Sequence, residues 1–126
     1  MNVVDSSGWL EYFARGANSR VFAPVIIATD LLVVPTICIY EVFKRLLMQR
    51  GEEDALQAIG IMSLGLLADL TREIAVNAAH ISADLQIAMA DSIILATTHA
   101  HNATLWTQDA DFKGMEGVRY IERKSG

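Results

Sequence analysis

The sequence predicts an α/β fold, a mainly parallel sheet of four to five strands with helices on both faces. Three observations predict it. Short apolar or β-branched runs recur at 2–4, 31–35, 103–107 and 117–122, each of strand length. Stretches with apolar residues at helical spacing separate them. The composition is even: 126 residues, 52% hydrophobic and 20% charged, two Pro, and no Gly/Ser-rich or single-sign tract, so residues 1–126 read as one domain around one core, without a linker.

Asn-Val-Val at 2–4 runs straight into Asp5-Ser6-Ser7-Gly8, a buried strand meeting a helix start. Residues 6–16 and 19–29 read as helices, the first stopped by Gly16. Leu-Leu-Val-Val-Pro at 31–35 is the second strand. After Pro35, the residues Ile37, Ile39, Tyr40, Phe43, Leu46 and Leu47 fall at roughly helical spacing. Lys44, Arg45 and Arg50 lie toward the carboxyl end, where the helix dipole favours cations, and Gly51 ends the helix. The segment from Glu52 opens on three acids and reads as helix to about residue 68, although Gly60 and Gly65 weaken its later turns. Leu67 to Leu70 could form a short strand. Residues 71–85 and 87–98 give two more helices, and ATLWT at 103–107 is a strand by its β-branched and aromatic content. QDADFKG is a turn or short helix. GVRYIE at 117–122 alternates as a strand at the sheet edge.

Composition also narrows the function. The single cysteine, Cys38, excludes an internal disulfide and a cysteine-built zinc site, and fits a reducing cytoplasm. Ten Lys plus Arg against fifteen Asp plus Glu give a net charge of −5, which counts against binding nucleic acid through a broad basic face. Local basic clusters, Lys44, Arg45 and Arg50 or Arg119, Arg123 and Lys124, soften that exclusion. The amino terminus has no basic region and the apolar stretches are short or interrupted, so neither a signal peptide nor a membrane span is expected. There is no GxxxxGK[ST], GxGxxG or GxSxG. His99 and His101 stand two apart and His80 stands alone, which is not zinc-pair spacing; all three read as structural or solvated.

The acids carry more information. In a parallel α/β sheet, ligand chemistry collects at the carboxyl ends of the strands. Asp5 comes directly after the first strand, Asp109 and Asp111 come after the late strand, and Glu41 lies in the first two turns of the helix after the second strand. Asp91 lies in IAMADSIILATT, near the middle of the helix expected there. Its neighbours one turn away are Ile87, Ala88, Ile94 and Leu95, none of which can pair with it. Gathered carboxylates raise one another's pKa and destabilise a fold, and a divalent cation reverses that effect. Oxygen-rich sites without Cys or His suit Mg²⁺ or Mn²⁺. Simpler roles exist for most of these acids. Asp5 can cap a helix, Glu41 can pair with Lys44 and Arg45, and Asp109 and Asp111 can form turns. Asp91 has no such local explanation beyond facing water.

Together these motifs resemble the PIN-domain family, and within it the VapC-like toxins of toxin–antitoxin pairs. The resemblance spans nearly the whole chain: VVDSSGWLEYF, the Glu in PTICIYEVFKRL, the Asp opening MADSIILATTHAHNA, and LWTQDADF. It implies a PIN-like three-layer α/β/α fold and a metal-dependent endoribonuclease. By resemblance, Asp5, Glu41, Asp91 and Asp109 form the acidic quartet, with Asp5 and Asp91 as the foremost direct ligands of Mg²⁺ or Mn²⁺; Ser6, Thr107 and Asp111 support them. The implied chemistry is attack of a metal-activated water on an RNA phosphodiester, leaving a 5′-phosphate and a 3′-hydroxyl. It further implies a homodimer and a cognate VapB-like antitoxin, whose tail occupies the groove and sets an Arg among the acids. Ser6 stands where many relatives have Thr, and Gly8 is expected to loosen the first helix turn. A housekeeping RNA-processing nuclease, a non-catalytic PIN-like module and a receiver-type signalling domain are alternatives. The last fits worst: Asp5 is followed by Ser6 and Ser7, and Gln108 comes after Trp106-Thr107.

Overall fold

Val3 and Val4 point to opposite faces of one strand and both are fully buried, which requires a sheet covered on both sides. In the computed structural model, which describes residues 1–124, that strand is the middle of the sheet. β1 (Asn2–Val4) pairs in parallel with β2 (Leu32–Pro35) on one side and β4 (Thr104–Thr107) on the other. Beyond β2 lies β3 (Leu66–Ala68), and beyond β4 lies β5 (Val118–Tyr120), giving the order β3-β2-β1-β4-β5 with every pair parallel. Helices α1 (Ser6–Phe13), α2 (Ser19–Ile27), α3 (Thr36–Arg50), α4 (Glu52–Met62), α5 (Arg72–Leu85) and α6 (Met89–Ala100) make the outer layers. The core between the layers centres on Trp9, Phe22, Leu32, Met62, Ile94 and Leu105, all essentially inaccessible.

Three local expectations are corrected. The helix from Glu52 stops at Met62 rather than near residue 68, and the next strand is 66–68, not 67–70. Gly65 explains the change: a Cβ there would lie 2.9 Å from Val34 Cγ2 and 3.0 Å from the Leu32 carbonyl, so the chain approaches β2 too closely for any other residue. Gly8 does not act as a loose turn. A Cβ on it would meet Val4 Cγ1 at 2.6 Å and the Phe22 ring at 2.8 Å, so glycine lets α1 pack down onto β1 and α2. The first helix ends at Phe13, before Gly16, with Arg15 in the left-handed region at φ 54°.

The remaining correction bears on the site. α6 begins at Met89, not at residue 87, because Gln86 adopts a left-handed conformation that separates it from α5. Asp91 is therefore in the first turn of its helix, where the dipole favours an anion. Among the described residues, no helix is long and apolar enough to cross a membrane.

Candidate metal centre

The central strands β1 and β4 end side by side, and the turns and helices beyond those ends fix the acids in place. Asp5 leaves β1 and caps α1: its Oδ1 accepts from the Gly8 N–H at 3.2 Å and from the Ser7 hydroxyl at 2.8 Å. Its own N–H donates to the Trp106 carbonyl at 3.1 Å, which ties the end of β1 to β4. Asp5 is only 2% exposed. Burial raises its pKa to about 6, against the lowering effect of donors from Ser7, Gly8 and Thr107, with a further upward push from Asp109. The capping role expected from sequence is real, and it holds the carboxylate at the mouth of the site.

Glu41 lies in the second turn of α3, half-buried, and accepts from the Ser6 hydroxyl at 2.7 Å. That bond crosses from α1 to α3 and gives Glu41 a partner other than the neighbouring cations of its own helix. Lys44 lies over the Tyr40 ring instead, 5.9 Å from its centroid.

The turn after β4 supplies the next two acids. Thr107 Oγ1 accepts from the Asp109 N–H at 2.9 Å, and Asp109 Oδ1 accepts from the Asp111 N–H at 2.9 Å. These Asx- and Thr-type turns project both carboxylates toward the start of α6. Asp91, Asp109 and Asp111 thereby place one carboxylate oxygen each within 4.8 Å of one another. Asp5 and Glu41 lie outside that triad yet within its field. Desolvation raises the Asp91 pKa to about 7, with further contributions, in decreasing order, from Asp109, Asp111, Asp5 and Glu41.

All four acids of the expected quartet thus share one electrostatic neighbourhood. Asp111, expected in support, stands in the tightest grouping with Asp91 and Asp109. Ser6 and Thr107 hold Glu41 and the Asp109 backbone respectively. Below them, the Cys38 thiol is fully buried near the Val4 carbonyl, and burial together with Asp5, Glu41 and Asp91 pushes its pKa upward. It is an apolar floor rather than a ligand.

Sequence reasoning missed three residues. Ser7 donates to Asp5 and accepts from the Gln108 N–H at 3.2 Å. Asn18, fully buried, donates through Nδ2 to Gln108 Oε1 at 3.0 Å and to the Glu122 carbonyl at 2.9 Å, while its N–H donates to Glu11 at 2.8 Å. Gln108, between Thr107 and Asp109, is buried as well. A polar residue in a short loop gives no hint of partners 90 and 104 positions away. His80 and His99 are exposed, and the His101 ring bonds to the Thr97 carbonyl of its own helix, as structural or solvated histidines would.

The donor set is wholly carboxylate, with the pKa values of Asp5 and Asp91 raised first by burial and further by neighbouring carboxylates. Such a set fits a hard divalent cation of the Mg²⁺ or Mn²⁺ type.

The fold recurs in solved structures. A toxin–antitoxin complex from Klebsiella pneumoniae contains a chain with TM-score 0.80 and 22% identity, covering 98% of this chain and 100% of that one. The Mycobacterium tuberculosis toxin VapC20, described as cleaving the sarcin–ricin loop, gives TM-score 0.75 at 14% identity, with 98% of each chain covered. FitAcB from Neisseria gonorrhoeae gives 0.72 at 20% identity over 88% of this chain and 89% of that one. No curated protein sequence matches this chain. The family model for the PIN domain matches residues 3–118, a span that includes every acid of the site. With the parallel sheet and its clustered acids, that match means the chain belongs to the PIN-domain family.

Proposed function

We propose that this chain is a divalent-metal-dependent endoribonuclease and the toxin of a toxin–antitoxin pair. The observation that carries the reading is Asp91: a carboxylate whose pKa reaches about 7 in a cluster offering only oxygen donors, at the carboxyl edge of a PIN-domain sheet. Asp91, Asp109 and Asp111 would hold the ion on one side, with Asp5 and Glu41 closing the other. A bound Mg²⁺ or Mn²⁺ supplies Lewis-acid chemistry, activating a water and balancing charge on the phosphodiester.

The chain's own residues do the positioning. Asp5 is held by Ser7 and the α1 amino terminus, and Glu41 by Ser6, so neither has to reorganise when a substrate arrives. Hydrolysis by water leaves a 5′-phosphate and a 3′-hydroxyl. The toxin assignment is supported by the structural likeness to the Klebsiella complex and VapC20. By the same likeness the partner is a VapB-like antitoxin, whose basic tail would complement the acids. A homodimer acting in the cytoplasm belongs to the same reading.

The test is cleavage of total and defined RNAs by purified protein with Mg²⁺, Mn²⁺ or excess chelator, beside Asp91→Asn. The expected result is metal-dependent cutting that falls about a hundredfold or more in a folded Asp91→Asn chain. Equal cutting in chelator, or by the variant, overturns the reading.

A further inference from the structure

The chain carries a net charge of −5, yet its cations are not spread evenly. An open groove of about 770 Å³ begins at Ser6, Glu41 and Gln108 and runs beside the carboxyl half of α3, where Lys44, Arg45, Arg50 and Arg123 line it. Two smaller recesses around the α1–α2 loop are lined by Arg15 and Arg20, one of them also by Lys124. The three recesses lie around the carboxyl end of α1: Ala14 lines the first, Phe13 and Arg15 the second and Arg15 and Gly16 the third, and Arg50 of the first donates to the Phe13 carbonyl of the second.

Seven of the ten Lys and Arg residues therefore line this path, against only Glu11 and Glu41 of the fifteen acids. All seven cations are exposed. Glu11 is already engaged by the Asn18 N–H. Two of the other three cations lie away from the path, Lys113 over the Tyr120 ring and Arg119 over the Trp106 ring, whereas the one ring contact among the seven, Lys44 over Tyr40, is made within the groove.

Buried Asn18 joins this path to the acid cluster. It holds Gln108, next to Asp109, and the Glu122 carbonyl, just before Arg123 and Lys124, while sitting in the loop between Arg15 and Arg20. One side chain thus fixes the relative placement of the acids and of the basic residues on three segments.

Resting on the nuclease reading, we propose that this basic path is a one-sided track for single-stranded RNA, holding the phosphates of nucleotides on one side of the cut while the acids engage the scissile phosphate. A row of exposed cations leading away from an acidic metal centre matches a phosphodiester chain, which needs metal at one phosphate and monovalent charge at the others. Tyr40, 60% exposed on the groove wall with Lys44 over one side of its ring, offers its other face to a base that stacks without regard to sequence. Affinity then grows with RNA length on one side only.

The test measures binding of full-length protein to fluorescent single-stranded RNA in chelator, which stops cleavage, across a range of salt. Arg15→Gln/Arg20→Gln/Lys124→Gln is compared with the charge-matched Arg72→Gln/Lys113→Gln/Arg119→Gln, thermal melts confirming that both fold. The expected result is a loss of about tenfold or more for a long oligomer in the first variant, a salt slope shallower by about 2, and a much smaller loss for a tetranucleotide. The second variant should stay within about twofold of the native chain. Equal loss in both, or none in the first, overturns the track. Retained RNA affinity with lost binding of a polyglutamate peptide assigns the surface to an acidic partner, which also overturns it. A native protein that neither binds nor cuts RNA defeats the nuclease reading itself, whereas one that cuts RNA but treats both variants alike defeats only the track.

Discussion

The two halves of the acid cluster are built differently. On the α1–α3 side, each carboxylate has a donor of its own: Ser7 and the Gly8 N–H for Asp5, Ser6 for Glu41. On the α6–β4 side, Asp91, Asp109 and Asp111 crowd together, and nearby charge adds to desolvation in raising the Asp91 pKa to about 7. The first half is hydrogen-bonded by the protein itself, although burial still holds the Asp5 pKa up at about 6. In the second, only Asp109 has such a donor, the Asp111 N–H, and an added cation would relieve the rest, because like charges in a partly desolvated setting raise one another's energy. The dependence on metal should therefore reside in one half and the geometry for substrate in the other.

The largest effect expected from this contrast is stabilisation by metal. At pH 8, Mn²⁺ at about a hundred times its dissociation constant should add about 2.7 kcal/mol of stability. Asp91→Asn should abolish most of that gain while Ser6→Ala keeps it, as read by thermal melting with and without metal; equal loss in both variants would erase the distinction. Next comes the geometric half. Ser6→Ala should lower cleavage about tenfold, as loss of a supporting hydrogen bond to a metal-site carboxylate commonly does, with the metal-induced rise in melting temperature unchanged.

A smaller effect concerns the metal-free protein. The folded-state pKa values of Asp5 and Asp91, about 6 and about 7, lie above the ordinary value of 3.8, so the folded chain holds protons that the unfolded chain has released. Stability should be greatest near pH 4 and fall as pH rises through 6 and 7. Asp91→Asn should flatten the upper part of that decline and gain about 1 kcal/mol at pH 8, after allowance for solvent screening at a half-exposed carboxylate. A native chain whose stability rises over that range would contradict the account. Smallest of all, His80→Gln and His99→Gln should leave melting and cleavage unchanged, within about 0.5 kcal/mol for stability.

Much of this was legible in the sequence because it is local. Buried strands announce themselves as apolar runs, and Asp5, Glu41 and Asp109 stand beside strand ends where a parallel sheet collects polar groups. The parallel fold and the convergence of the acids derive from those facts. Other features depend on the assembled shape. Gly65 reads as a weak helix residue until β2 is seen pressing against it, and Gly8 as a loose turn until Phe22 lies over it. Asp91 reads as a mid-helix anomaly because the left-handed Gln86 leaves no mark in hydrophobic periodicity. Asp111 ranks as an accessory from sequence, since it is the hydrogen bonds at Thr107 and Asp109 that turn both neighbouring acids toward α6. Asn18 was beyond reach, its partners being fixed only when distant segments meet.

The order of strands in the sheet carries a consequence for synthesis. β1 is made first and lies at the centre, but one of its two neighbours is β4, about a hundred residues later in the chain. Closing that separation must precede any contact between the ends of the two strands. Until the ribosome has released the segment through Asp109 and Asp111, Asp5 has no counterpart and the cluster does not exist. On the proposed nuclease reading, a growing or prematurely terminated polypeptide lacks the assembled acids that cutting requires, and only the chain folded through β4 brings them together.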